Sequence, residues 1–426
     1  MEDGRWRSCF AIVLIIDDKT CPLQTPPFFR TQRLMPAIFL KPGKDKPVRQ
    51  RHPWIFSGAI ARVEGAPRAG AIVDVRAHDG RWLARAEYNP RSQILARAFC
   101  WDKNTQADDA FWRERLAAAI ARRDAFAPGA EARRLVFAES DGLPGLILDQ
   151  YRDHLAAQFL TAGAEARKAM TVRHLIDLLA PVSIIERDDS MRRKEGLPST
   201  DGTLYGHLPD DPLIIVEHGL RFRVDLRSGQ KTGFYLDQAA NRAALAPFSA
   251  GREVLNAFSY TGAFAVHALA AGASHVINLD ASAEALALAE ANLRLNGFSP
   301  ERWETIQADV FSQLRLWRDE GRRFDLIILD PPKFATSRRT LSRAARGYKD
   351  INWLAMRLLR PGGLLATFSC SGLVSRDLFQ KILFGAALDA GRDARIVGHF
   401  FQSPDHPVLL TFPEAAYLKG FLLHLV

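Results

Sequence analysis

The rhythm of apolar positions changes twice along the chain. From residue 36 to about 100, short alternating runs are cut by glycine and proline, and strands are predicted at 37–40, 71–75, 82–87 and 93–99. A helical stretch follows over 109–126, opened after the acidic pair Asp108-Asp109 and stopped by Pro128-Gly129. It leads into strands at 135–138, 146–149, 154–160 and 182–186, a helix at 164–179, and two further strands at 213–217 and 221–224. Beyond residue 253 the alternation becomes regular. Strands at 253–256, 275–279, 303–307, 324–329 and 363–368 are interleaved with helices at 263–271, 282–295, 310–318, 339–359 and 374–390, and strands at 395–402 and 418–426 close the set. Such spacing demands parallel pairing through crossover helices.

The predicted fold is therefore α/β: a doubly wound, Rossmann-like core at 226–426, preceded by a small β-rich domain at 35–105 and a central α+β domain at 106–225. Residues 1–34 show no period, carry a proline-rich stretch from Cys21 to Pro27 and end just before Met35. They read as a start-site or non-native extension, with Met35 as the working start.

Composition narrows the class. Of 426 residues, 47% are hydrophobic and 25% charged, an ordinary globular balance that excludes disordered and fibrous proteins. No apolar run approaches the roughly 18 residues that span a bilayer. The four cysteines, Cys9, Cys21, Cys100 and Cys370, are far apart and form no CxxC pair, which speaks against a disulfide framework or a metal site. A reducing, cytoplasmic setting without membrane or metal is expected. The net charge of +9 is concentrated: residues 35–105 hold 13 Lys/Arg against 6 Asp/Glu, a net of +7. Aromatics interleave there (Trp54, Phe56, Trp82, Tyr88, Phe99), a pattern suited to nucleic-acid phosphates, although a solvated basic face has the same signature.

In an open α/β sheet ligands lie beyond the carboxyl ends of the strands, so the residues after each strand are the candidates. After the first core strand come Phe258, Ser259, Tyr260, Thr261 and Gly262, a small turn at a helix start with no GxGxxG, hence unsuited to wrapping a pyrophosphate. After the second come Asp280 and Ala281, placed where a carboxylate grips ribose hydroxyls. Together they fit S-adenosylmethionine (SAM). After the third, Asp309 and Val310 offer an acceptor for the adenine amino group, and Asp309 suits a helix N-cap equally. After the fourth come Asp330, Pro331, Pro332, Lys333 and Phe334. Enzymes that methylate exocyclic amines often carry an aromatic where Lys333 stands. Arg338, Arg339, Arg343, Arg346 and Lys349 follow without an acidic residue between them and read as an RNA-tracking surface. After the fifth strand, Cys370 sits in a polar turn, where a nearby cation such as Lys333 is expected to lower its pKa. Attack of Cys370 on C6 of a flipped cytosine would make C5 nucleophilic towards a methyl group, with Asp330 donating to N3.

The chain resembles the bacterial large-subunit ribosomal RNA cytosine-C5 methyltransferase I family from about Met35 onward. The resemblance is carried by Arg51-His52-Pro53-Trp54-Ile55-Phe56-Ser57-Gly58, Asp141-Gly142-Leu143-Pro144-Gly145-Leu146 and Arg193-Lys194-Glu195-Gly196. It continues in Gly229-Gln230-Lys231-Thr232-Gly233-Phe234-Tyr235-Leu236-Asp237-Gln238, the turn at 258–262, the segments 330–334, 347–352 and 368–372, and Tyr417-Leu418-Lys419-Gly420-Phe421. It implies SAM as cofactor, a PUA fold for the first domain, Cys370 and Asp330 as the reacting pair, and ribosomal RNA of the large subunit as partner. It further implies that 231–238 closes over the cofactor, with Gln238 on the cofactor side and Lys231 on the substrate side, and that Arg51, His52 and Trp54 contact RNA. A homodimer stays among the partner expectations. Two alternatives remain open from sequence: methylation of another base or atom with Cys370 merely structural, and an RNA-binding assembly factor without catalysis.

Overall fold

The computed structural model describes residues 35–426 apart from 228, 230 and 336, so the extension expected at 1–34 lies outside the described residues. The first region is a six-stranded sheet in the spatial order Trp54–Phe56, Ile94–Cys100, Trp82–Tyr88, Ile72–Arg76, Ala37–Leu40, Ile60–Glu64. Only Ala37–Leu40 and Ile72–Arg76 run parallel; the other pairs are antiparallel. Ile38, Leu40, Val73, Val75 and Leu83 fill its interior. In this region the sequence pattern missed two strands. Trp54–Phe56 has three residues, and Ile60–Glu64 is an edge strand whose last four residues are exposed, so neither has a buried alternating face to detect.

The central region begins with the helix Asp109–Phe126, N-capped by the Asp108 side chain, which accepts from Phe111 N at 3.0 Å. It covers a five-stranded sheet ordered Gly202–Gly206, Ser183–Glu186, His154–Phe159, Leu146–Tyr151, Ala132–Phe137. The helix predicted at 164–179 is two helices, Ala162–Ala166 and Lys168–Leu179, separated at Arg167. A hairpin of Leu213–Glu217 and Leu220–Val224 turns through His218 and Gly219, both with positive φ, as tight two-residue hairpins require. Its inward Ile215, Phe222 and Val224 pack with Leu245, Val254 and Val266 of the following region.

That region is a seven-stranded sheet: β1 (Glu253–Ala257), β2 (His275–Asp280), β3 (Trp303–Gln307), β4 (Phe324–Leu329), β5 (Leu359–Ser369), β6 (Ala394–Phe401) and β7 (Lys419–Leu425), ordered β3-β2-β1-β4-β5-β7-β6. The first five strands are parallel, and β7 runs antiparallel between β5 and β6. Their alternate residues feed two cores. Val254, Leu326 and Ala366 face one layer, whereas Leu255, Ile327 and Leu365 face the other. Strands buried on both faces explain the continuous apolar runs in the sequence. Helices α1 (Ala263–Ala270), α2 (Ala283–Leu295), α3 (Val310–Asp319), α4 (Leu341–Leu358) and α5 (Arg376–Ala390) cover the sheet. The pattern missed the short helix Ala239–Leu245 and placed the start of β5 four residues late. Strand order reverses at β1, the switch point where a crevice opens. Among the described residues, no helix is long and apolar enough to cross a membrane.

Candidate active site

After β1 the backbone is held in an unfavourable shape. Phe258 and Tyr260 have φ of 59° and 48°, left-handed values that cost non-glycine residues roughly 1–3 kcal/mol each. Hydrogen bonds from the end of β2 enforce it: Ser259 N donates to Leu279 O at 3.1 Å and Tyr260 N to Asp280 Oδ2 at 2.9 Å. The other oxygen of Asp280 accepts from Ser282 N at 3.0 Å. At Gly262 (φ 70°) a Cβ would lie 2.8 Å from the Ala289 Cβ, so only glycine lets α1 start this close to α2. Asp309 caps α3, its Oδ1 accepting from Ser312 N at 2.9 Å.

Beyond β4 and β5 lie the two groups with reactive potential. Burial pushes the Asp330 carboxyl up to about 6, opposed by a hydrogen bond from Gln238 Nε2 at 2.9 Å and reinforced by the charge of Asp237. Burial likewise pushes the Cys370 thiol up to about 11, and the Asp330 and Asp237 carboxylates add to this. The expectation that Lys333 lowers this thiol's pKa is corrected. Lys333 and Lys231 both pull downwards, but lost solvation and the two anions outweigh them. The turn after Cys370 is pinned from β7: Lys419, buried, donates from Nζ to Ser371 O and Val374 O, both at 2.7 Å.

The facing wall comes from the strap at 231–242. Asp237 is buried, yet the charges of Lys231 and His406 hold it well below the usual carboxylate range. Its Oδ2 accepts from Lys231 Nζ at 2.7 Å and from the Tyr417 hydroxyl. The Tyr235 ring meets the Tyr260 ring edge-on, 5.2 Å between centroids, and so joins strap to turn. The central region anchors this strap. Thr232 Oγ1 donates to Asp149 Oδ2 at 2.5 Å, Tyr151 accepts from Phe234 N at 3.1 Å, and Asp149 takes a two-pronged contact from Arg134 at 2.8 Å. Arg187 donates to the carbonyls of Leu226 and Gly229.

Between the walls lies a cavity of about 550 Å³. It is lined by Phe258, Ser259, Tyr260, Thr261, Asp280, Ala281, Asp309 and Val310, by Asp330, Pro331, Pro332, Lys333 and Cys370, and by Lys231 and Gln238. Other predicted residues lie elsewhere. Gly262 shapes the helix start. Phe334 packs on Tyr348, with ring centroids 4.6 Å apart, and does not line the cavity. Arg338, Arg339, Arg343 and Arg346 are exposed around the start of α4, and Lys349 pairs with Asp389 at 2.6 Å. In the first region Arg51 is exposed, His52 is partly exposed with a surface partner, and Trp54 has a buried one. His52 Nε2 lies 3.2 Å from Glu414, and Trp54 donates to Glu139 Oε1 at 2.8 Å and packs on Phe412. These two tie the first region to the others. Asp237, Asn241, Tyr417 and Lys419 were not singled out as site residues from sequence: the Tyr417 and Lys419 partners are 180 and 48 positions away, and Asp237 and Asn241 follow no strand of the core sheet.

The donor set suits a nucleoside-bearing ligand. Each Asp280 oxygen accepts a single backbone N–H and keeps a lone pair, Asp309 Oδ2 accepts nothing among the described residues, and the buried Ser259 Oγ has no partner. The volume is within the range of small-molecule sites.

Comparison with known proteins agrees with this architecture. The family model described as S-adenosylmethionine-dependent methyltransferase matches residues 197–407, and that of a PUA-like domain matches 38–101. Ribosomal RNA large subunit methyltransferase I of Klebsiella pneumoniae strain 342 is 47% identical over 398 residues, covering 92% of this chain and 98% of the relative. The protein of the same name from Shewanella amazonensis is 49% identical over 90% of this chain and 98% of its own. A crystal structure of SMU.776, a methyltransferase candidate complexed with SAH, superposes with a TM-score of 0.81 at 21% identity, over 91% of this chain and 99% of that one. That last likeness bears on the fold.

Proposed function

Because the chain belongs to the ribosomal RNA large subunit methyltransferase I family, we propose that it methylates C5 of a cytosine in large-subunit ribosomal RNA, using SAM and a transient bond from Cys370 to C6. When bound, SAM supplies an electrophilic methyl group. Asp280 would accept from the ribose hydroxyls, Asp309 Oδ2 would take an adenine N–H, and the turn at 258–261 would cover the amino-acid end.

The proton inventory of the reacting pair follows from its environment. With the thiol near 11 and the carboxyl near 6, Cys370 and Asp330 together hold one dissociable proton across neutral pH, mostly on sulfur. Passing that proton to Asp330 creates the thiolate that attacks C6, and leaves a carboxylic acid to donate to N3 as charge develops there. Once C5 carries the methyl group, solvent water takes the C5 proton, N3 returns its proton to the Asp330 carboxylate, and the C6–S bond breaks with its electrons returning to Cys370, which restores the ring. The exposed arginines near the start of α4 are suited to the RNA backbone. Below pH about 6 the carboxyl can no longer take the thiol proton, so the rate should fall.

One observation carries this reading: Cys370 and Asp330 line the same cavity as Asp280 and the turn after β1. The test uses a large-subunit rRNA transcript containing 5-fluorocytidine, which blocks loss of the C5 substituent. With SAM, the protein should form a denaturant-stable RNA adduct, and Cys370→Ala should form none. Formation of 5-methylcytosine at the normal rate by Cys370→Ala would refute the proposal.

A further inference from the structure

The hydrogen bonds behind Asp330 form a directional chain. Asn241 donates from Nδ2 to the Phe401 carbonyl at 2.8 Å and to Gln238 Oε1 at 2.6 Å, and Gln238 donates from Nε2 to Asp330 Oδ2 at 2.9 Å. A carboxamide can usually be turned over, exchanging donor for acceptor. Here the far end is a backbone carbonyl, which only accepts. Asn241 must therefore present its NH₂ group, Gln238 must present its oxygen to Asn241, and its NH₂ group must face Asp330. Both amides are buried, with Gln238 and Asn241 2% and 4% exposed.

We propose that Asn241 and Gln238 are positioning residues that reserve Asp330 Oδ2 as an acceptor and confine the transferable proton to Oδ1. An acid hydrogen on Oδ2 would point at an N–H and have no acceptor. The carboxyl thus has one usable face for receiving a proton from sulfur and delivering it to the base. Gln238 changes role accordingly: the amide assigned to the cofactor from sequence is committed to the acid. This inference rests on the proposed chemistry at Cys370 and Asp330.

The other ionisable groups acting on Asp330 are Lys231, Tyr235, Asp237 and Arg242 from the strap and its helix, and Cys370 from the turn after β5. They are unchanged in the variants that follow, so a shift of the acidic limb reports the amide chain. The experiment is a pH profile of single-turnover methyl transfer to rRNA by the wild type, Asn241→Leu, Gln238→Leu and Gln238→Glu. The acidic limb should move upwards in that order: slightly when Gln238 is freed to flip, by about one pH unit when the donor is lost, and further when a second carboxyl faces the first. Thermal melting and SAM binding identify any variant that fails to fold. The near-isosteric Asn241→Leu and Gln238→Glu keep the series readable if Gln238→Leu is lost.

A uniform loss of rate with an unmoved limb would reduce the chain to a structural role and overturn the inference. Asp330→Asn and Cys370→Ser measured alongside separate the two levels. Normal 5-methylcytosine formation by either sinks the underlying chemistry. Inactivity of both with an unordered series sinks only the amide chain.

Discussion

The two walls of the cavity are made in different ways. The wall at the strand ends is local: each turn is held by the strand beside it, as Asp280 holds the turn after β1. The strap wall is assembled from afar. Thr232 bonds to Asp149, 83 positions away, and Asp237 to Tyr417, 180 positions away. The pair proposed to react sits on the local wall, and the facing wall is held by buried charges borrowed from other regions. The contrast suggests that changes to the first should remove reaction without loosening the fold, whereas changes to the second should loosen the fold and, through it, the cavity.

Cys370→Ser tests the first half most severely. Methyl transfer should drop at least ~10³-fold, with the melting temperature and SAM affinity close to wild type, as read by single-turnover assay and thermal denaturation. Asp149→Ala tests the second. It leaves Arg134 buried without its partner and Thr232 without its acceptor, so stability should fall by about 3–5 kcal/mol in chemical denaturation. SAM affinity should fall with it. If Asp149→Ala melts like the wild type, the comparison fails.

A pH-resolved stability measurement sharpens it. The Asp330 carboxyl has its folded pKa raised to about 6, so its contribution is fully present below the unfolded pKa and is lost as pH rises through about 6. Asp330→Asn should therefore be inactive yet more stable than wild type by up to about 3 kcal/mol at high pH, an advantage that disappears below about pH 4. A variant less stable than wild type at pH 8 would contradict this. The smallest effects concern RNA. Arg343→Ala and Arg346→Ala should each weaken rRNA binding severalfold and reduce its salt dependence by about one charge. Trp54→Phe should leave RNA affinity unchanged and cost about 1 kcal/mol of stability through the lost bond to Glu139.

The same contrast explains what could be read from the sequence. Parallel βα units announce themselves by apolar runs and spacing, and their C-terminal turns follow from topology, which is why Asp280, Asp330 and Cys370 were found at one cavity. The second layer was not legible. Nothing in the spacing of Asp149 and Thr232, or of Asp237 and Tyr417, marks them as neighbours, and Asn241 lies on a short helix without a distinctive pattern. Charge counting misled in the opposite direction. Within the basic first region, Arg97 is buried against Glu195, at 2.7 Å, and Trp54 is committed to the buried Glu139, so part of the apparent RNA-binding face is internal bonding. Lys333 was given the sign of its influence on Cys370, but a sequence carries no measure of the desolvation that overrides it.

The insertion of β7 between β5 and β6 has a consequence for biosynthesis. The parallel strands and the cysteine turn are translated well before residues 419–425, yet the lysine that clamps this turn arrives with that strand. While those residues remain in the ribosomal tunnel, β5 has an open edge and the sulfur stands on an unpinned loop. The parallel strands can pair early, but the turn that carries Cys370 is clamped, and the strap held by Tyr417, only when this late segment slots in between β5 and β6.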